Sequence, residues 1–103
     1  MRIMLACALG MSTGMLVERM REAAAKEGKD DYKIWAVDVG SVSKNVGEFD
    51  VLLLGPQVTY TLNDMKKKYD AQTPVAVIKP VDYGRMNGAA VLKFAESLVE
   101  ARK

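Results

Sequence analysis

The sequence predicts an α/β fold, an open four-stranded parallel sheet with helices on both faces. Three observations carry this. Four short apolar or β-branched runs recur along the chain: Arg2 to Cys7, Tyr32 to Val39, Val51 to Leu54 and Val75 to Ile78. Between and after them lie segments whose apolar residues fall three and four apart, the spacing of a helix face. The alternation reads β-α-β-α-β-α-β-α, and strands joined by right-handed helical crossovers lie parallel.

The first run, Ile3-Met4-Leu5-Ala6, is continuously apolar rather than alternating, which suits a parallel strand covered on both faces. From Ser12 to Glu27 the period becomes helical. Met15, Leu16, Met20, Ala23 and Ala24 form the expected buried stripe, and Gly28 the C-terminal stop. In the second strand Tyr32, Ile34, Ala36 and Asp38 face one way, and Lys33, Trp35, Val37 and Val39 the other. Ser41 is the expected N-cap of a short helix ending at Gly47. Val51-Leu52-Leu53-Leu54 is the most apolar run and the expected central strand, ended by Gly55-Pro56. A third helix spans Thr59 to Tyr69, with Leu62, Met65 and Tyr69 inward and Lys66, Lys67 and Lys68 exposed. After the last strand comes a loop from Lys79 to Gly84. The closing helix, Asn87 to Arg102, buries Val91, Leu92, Ala95, Leu98 and Val99.

The totals narrow the function. With 103 residues the chain reads as a single domain, 1–103. A net charge of +2 does not suggest nucleic acid or an anionic membrane as partner. No apolar run approaches the roughly 18 residues a membrane helix needs, and no signal peptide is evident. One cysteine cannot form an internal disulfide, so a cytoplasmic protein is expected. Histidine is absent. That removes a Ser-His-Asp triad, a Cys-His dyad and a His-ligated metal, and no cofactor is called for.

In doubly wound sheets ligands sit beyond the carboxyl ends of the strands, where the strand order reverses. Three loops should meet there: Cys7 to Met15, Gly55 to Tyr60 and Lys79 to Arg85. In the first, Ala8, Gly10, Ser12 and Gly14 are small enough for the backbone N–H groups to turn inward as an anion nest at a helix N-terminus. The same positive end favours negative charge on a cysteine placed there, and Ser12 and Thr13 add hydroxyl donors. Two readings of Cys7 stand at this point: a nucleophile beside a phosphate cradle, or a small buried residue that merely ends a strand. The spacing excludes a nucleotide P-loop, since no Gly-Lys-Ser/Thr follows, and a Cys-x-x-Cys redox site. A tyrosine-phosphatase loop has arginine at the sixth position after its cysteine; here that residue is Thr13.

Cys7-Ala8-Leu9-Gly10-Met11-Ser12-Thr13-Gly14-Met15-Leu16, Leu53-Leu54-Gly55-Pro56-Gln57-Val58 with Tyr60, and Asp82-Tyr83-Gly84-Arg85-Met86-Asn87-Gly88 together carry a resemblance. The chain resembles the IIB component of the bacterial sugar phosphotransferase system, of the lactose/cellobiose/chitobiose class. The resemblance implies a four-stranded parallel sheet of the kind shared with low-molecular-weight phosphatases. It implies that Cys7 accepts a phosphoryl group from a phosphohistidine on a IIA partner and passes it to a sugar held by a membrane IIC partner. It gives the cradle to the backbone of Ala8, Leu9, Gly10, Met11, Ser12, Thr13, Gly14 and Met15. Two residues depart from the family pattern: Gly14, where another small polar residue is common, and Lys79, where an acidic one is frequent.

Gln57, Tyr60 and Tyr83 are expected to support the cradle, each by a polar group on a neighbouring loop. Met11, Met15 and Met86 could form a soft apolar rim, and Met15 and Met86 could equally be core. The alternative to a carrier is a phosphatase-like hydrolase with Cys7 as nucleophile and Asp82 as acid, against which Thr13 in the arginine position argues. A non-covalent anion-binding module is the third reading.

Overall fold

The computed structural model describes residues 1–8 and 11–103, with Met11 and Ser12 described by backbone alone. The strands are β1 (Arg2–Cys7), β2 (Lys33–Asp38), β3 (Val51–Leu54) and β4 (Val75–Val77). The α-helices are α1 (Met11–Lys26), α2 (Leu62–Tyr69), α3 (Pro80–Gly84) and α4 (Gly88–Glu100), and 3₁₀ helices span Val39–Asn45 and Pro56–Thr61. The sheet order is β2-β1-β3-β4 and every pair is parallel.

The continuous apolar runs are explained by position. Ile3 to Ala6 of β1 and all of β3 are fully buried, because these two strands form the middle of the sheet. The pleat divides them by parity. Ile3, Leu5, Val51 and Leu53 face α1 and α4, where Leu16, Val17, Met20, Val91, Leu92 and Ala95 meet them. Met4, Ala6, Leu52 and Leu54 face the other way, onto Val42, Phe49, Val58 and Met65. Each large aliphatic side chain so buried contributes about 1.5–3 kcal/mol. The predicted two-sided covering of the sheet is what forms, and the parity read in β2 holds: Ile34 and Ala36 pack with the first layer, Trp35 and Val37 with the second.

Several expectations need correction. The buried stripe of α1 is Thr13, Leu16, Val17, Met20 and Ala24, whereas Met15 is 55% exposed. Met15 lies two residues from both Thr13 and Val17, which is roughly 200° around a helix of 3.6 residues per turn. The short helix is 3₁₀ and starts at Val39, so β2 stops at Asp38. Asp38, not Ser41, is its cap: the Asp38 carboxylate accepts the Gly40 N–H at 3.1 Å. The segment leading into α2 starts as a 3₁₀ helix at Pro56, which has no N–H to leave unsatisfied at a helix start. Pro80 likewise opens α3, so the region read as a loop from Lys79 to Gly84 is mostly helical. Gly28 does end the first helical segment, at φ +73°.

Two ion-pair groups tie the edges of the fold. Arg2 donates to both carboxylate oxygens of Asp50, which holds Asp50 below the usual carboxylate range and raises Arg2. Glu96 on α4 accepts from Lys29 and, at 2.7 Å, from the Tyr32 hydroxyl. Burial alone would push Glu96 up; the two hydrogen bonds outweigh it and the carboxyl is lowered. Hydrogen bonds to Glu96 and Glu27 raise Lys29, and burial together with Glu96 raises Tyr32.

The sign follows for each limb of the pH curve. Lowered carboxyls contribute stability that is present above their unfolded value, about 4, and lost as pH falls through the folded value. Raised Lys29 and Tyr32 contribute below their unfolded values, about 10, and lose it as pH rises further. Urea unfolding should therefore give a plateau between about pH 5 and 9 with a decline on each side. The Asp50→Asn/Glu96→Gln double variant should show a shallower acid limb than wild type, and identical acid slopes would rule this account out.

Candidate functional site

The strand order reverses between β1 and β3, so the loops after these strands part at that point. Cys7 is the last residue of β1 there, and α1 starts four residues later. The first N–H groups of a helix have no intrahelical partner and carry its positive end. A sulfur therefore stands at the switch point, four residues before the start of α1. Cys7 is only 5% exposed, while Ala8 is on the surface. Leu9 and Gly10, expected in the cradle, lie outside the described residues, as do the side chains of Met11 and Ser12.

Neighbouring elements close on Cys7 from two sides. On the β3 side, Gly55 donates its N–H to the Ala6 carbonyl at 2.9 Å. A Cβ at Gly55 would lie 3.3 Å from the Cys7 Cβ and 2.8 Å from Gln57 Oε1. Gly55 thus lies close against the cysteine, and the carboxamide oxygen of the exposed Gln57 lies over Gly55. On the β2 side, the register partner of Cys7 is Asp38. An acidic residue beside the cysteine went unread in the sequence, where Asp38 was visible only as the end of an alternating strand.

The polar side chains expected at the cradle are placed differently. Thr13 is 1% exposed, and its hydroxyl is hydrogen-bonded at 2.8 Å to the Tyr83 hydroxyl, itself buried. The Tyr83 hydroxyl thus reaches the stretch that follows Cys7, and each hydroxyl satisfies the other. Tyr60 is 78% exposed and lines a groove of about 320 Å³ with Val39, Gly40, Ser43, Asp64 and Lys68, between α2 and the first 3₁₀ helix. It joins a different surface feature from Gln57 and Tyr83. Asp82 sits in the first turn of α3, and its carbonyl accepts the Asn87 N–H at 2.9 Å. Met86 takes a left-handed conformation, φ +52°, and packs against the core. Of the expected rim, Met15 is the methionine shown on the surface.

A cleft of about 580 Å³ opens at the opposite end of the sheet, lined by Arg2, Phe49, Asp50, Thr73, Pro74 and Arg102. Its charged groups are already paired, Arg2 with Asp50 and Arg102 with Asp70. It lies away from Cys7, which is not among its lining residues. Among the described residues no cluster of side chains could hold a metal ion.

Comparison with known proteins is decisive. Residues 2–94 match the family model described as PTS system, Lactose/Cellobiose specific IIB subunit. The chain belongs to this family. Relatives include the galactose-specific EIIB component of Lactococcus lactis subsp. cremoris and the cellobiose-specific EIIB component of Lactococcus lactis subsp. lactis. Each is 48% identical, with 94% of both chains covered. The oligo-beta-mannoside-specific EIIB component of Bacillus subtilis is 34% identical, with 95% of both covered. The solved cellobiose-specific IIB component of Borrelia burgdorferi superposes with a TM-score of 0.81 at 34% identity, covering 98% of this chain and 93% of that one. The lactose-specific IIB domain of Streptococcus pneumoniae gives 0.83 at 17% identity, covering 95% and 96%, and so bears on the fold alone.

The three stretches that carried the family resemblance have distinct jobs in this IIB subunit. Residues from Cys7 onward lead from β1 into α1. Gly55 lies against the cysteine from the β3 side, with the Gln57 carboxamide beside it. The run from Tyr83 to Gly88 packs onto α1: Tyr83 bonds Thr13, the Asn87 side chain caps α4 by accepting the Ala90 N–H at 3.1 Å, and Gly88 lies against the Arg19 backbone. Among the described residues no helix is long and apolar enough to cross a membrane.

Proposed function

We propose that this IIB component is a phosphoryl carrier whose covalent site is Cys7. The thiolate attacks the phosphorus of a phosphohistidine on the IIA partner; the N–P bond breaks as the S–P bond forms. A hydroxyl of a sugar held by the membrane IIC partner then attacks the same phosphorus, the S–P bond breaks, and the hydroxyl proton leaves. The reading is carried by one observation, Cys7 at the end of β1 in the switch-point crevice, ahead of the N-terminus of α1.

The backbone that leads from Ala8 into the first turn of α1 holds the phosphoryl oxygens, through N–H groups that have no intrahelical partner. A phosphorylated side chain carries close to two negative charges, which backbone donors and a helix N-terminus suit. Phosphoryl transfer depends mostly on positioning and charge stabilisation. Without arginine at position 13 or any histidine base, the loop holds the group without strongly assisting water. Gln57, whose carboxamide oxygen lies beside Gly55, contacts the bound group in this reading. The 103 residues act as one domain, in the cytoplasm and transiently at the inner membrane face, as a monomer. The sugar is of the cellobiose, chitobiose or lactose type.

The test is to incubate the protein with a phosphorylated IIA donor and map the modification by mass spectrometry. A phosphate on Cys7 is expected, discharged on adding membranes containing IIC and sugar. No adduct with any IIA donor would refute the carrier, and steady hydrolysis of an aryl phosphate would favour the hydrolase.

A further inference from the structure

We propose that the segment from Tyr83 to Gly88 is a bracket that sets α1 against Cys7, with the Tyr83 and Thr13 side chains positioning the helix rather than binding phosphate. This deepens the carrier reading and rests on it for its effect on transfer.

The cysteine and its cradle belong to different elements. Cys7 is fixed by β1, hydrogen-bonded on both sides within the sheet. In the carrier reading the N–H donors lie at the start of α1, a different element from the strand that carries the sulfur. Their distance from sulfur depends on how far α1 has slid or rotated over the sheet. Apolar packing of Leu16, Met20 and Ala24 gives affinity for the sheet with little directional preference. A directional contact is needed to fix the position.

The bracket supplies contact at two points. Tyr83 on α3 hydrogen-bonds Thr13 at 2.8 Å across 70 residues of sequence, with both groups buried. Gly88, at the start of α4, lies against the backbone of Arg19, so near that a Cβ would sit 2.3 Å from the Arg19 carbonyl carbon. Thr13 and Arg19 are six residues apart, or about 9 Å along a helix rising 1.5 Å per residue. Two contacts that far apart, one polar and one steric, determine both the axial position and the rotation of α1.

The stretch between the two contacts is itself held. Met86 is left-handed, its N–H bonds the Tyr83 carbonyl, and the Asn87 N–H bonds the Asp82 carbonyl. The Thr13–Tyr83 bond lies in the low-dielectric interior. Removing either partner leaves the other hydroxyl buried without a partner, so the loss exceeds that of one ordinary surface hydrogen bond.

The test combines exchange and transfer in Tyr83→Phe, Thr13→Val, Thr13→Ser and the Thr13→Val/Tyr83→Phe double variant. In the unphosphorylated protein, hydrogen exchange at the amides of residues 15 to 17, which close the first turn of α1, should quicken about tenfold in Tyr83→Phe. Exchange in the middle of α4 should stay as in wild type. With saturating phosphorylated IIA, the rate of Cys7 phosphorylation should fall about tenfold in Tyr83→Phe and Thr13→Val, with the half-saturating donor concentration unchanged. Thr13→Ser should restore both readouts, and the double variant should be no worse than the worse single one.

Unchanged exchange at residues 15 to 17 in Tyr83→Phe would overturn the bracket. So would Thr13→Ser failing as badly as Thr13→Val, or a loss confined to donor affinity. If wild type takes no phosphate on Cys7, the carrier reading fails separately, and the exchange measurements still decide the bracket.

Discussion

Cys7→Ala is expected to abolish phosphoryl acceptance while leaving the fold intact. The chain has one cysteine and no histidine, so the variant has no second thiol or imidazole to take the group. Loss of the nucleophile should lower the transfer rate more than about 10³-fold, the order seen when a covalent catalytic group is removed. The structural cost is small. The side chain is buried at the end of a strand, and exchanging one sulfur for hydrogen there costs about 1 kcal/mol, like other single-group deletions in a core. Phosphate transfer from IIA, followed by mass, should vanish, while the far-UV circular dichroism spectrum and urea midpoint stay close to wild type. Cys7→Ser should also be inactive, because a hydroxyl at neutral pH is a far weaker nucleophile than a thiol. Residual phosphorylation of Cys7→Ala at the wild-type rate would place the covalent site elsewhere.

The largest effect on stability is expected from Gly88→Ala. The added methyl would lie 2.3 Å from the carbonyl carbon and 2.5 Å from the carbonyl oxygen of Arg19. These are backbone atoms in the middle of α1, so no side-chain rotation relieves the clash. Either α4 moves away from α1, separating Val91 and Leu92 from Leu16 and Met20, or α1 bends. Overpacking of this kind costs about 1–3 kcal/mol, and a backbone obstacle puts it at the upper end. For a domain near 100 residues that corresponds to a fall in Tm of about 10–20 °C. Gly14→Ala and Gly84→Ala provide the comparison, since a Cβ at either meets nothing within 4 Å and neither has a positive φ. Gly14 lies in α1, where alanine in place of glycine stabilises by about 0.5–1 kcal/mol. A thermal scan showing equal shifts for all three would contradict the clash.

These two residues were not equally legible. Cys7 could be read because its chemistry is a property of the residue type and its neighbours in sequence: a lone thiol, a small-residue turn, then a helix. Gly88 was visible only as part of a family motif. Nothing in its local sequence says that another helix passes within van der Waals distance. Asp38 belongs to the same class. Its adjacency to Cys7 is a matter of strand register, which joins residues 31 positions apart.

The corrections share a physical cause. Spacing leaves Met15 open between core and rim, because several three- and four-residue frames fit a helix rich in Met, Leu and Ala. The sheet selected the frame that buries Thr13 and Val17. The sequence suggests Thr13 as a hydroxyl donor because it stands at a helix start. The partner that claims it, Tyr83, comes from 70 residues away. Tyr60 was grouped with Gln57 by proximity in sequence, and the 3₁₀ helix starting at Pro56 carries it to another surface.

The sequence by itself determined the α/β class, the two buried central strands and the family, and it singled out Cys7 as the candidate nucleophile. Each of these follows from local periodicity, residue chemistry or motif order, which need no knowledge of who packs against whom. Only the tertiary structure decided which hydroxyls are free, which acidic residue stands beside Cys7, and how α1 is held. Those depend on contacts between distant segments, where directional hydrogen bonds and hard steric limits choose among arrangements that hydrophobic patterning alone leaves equivalent.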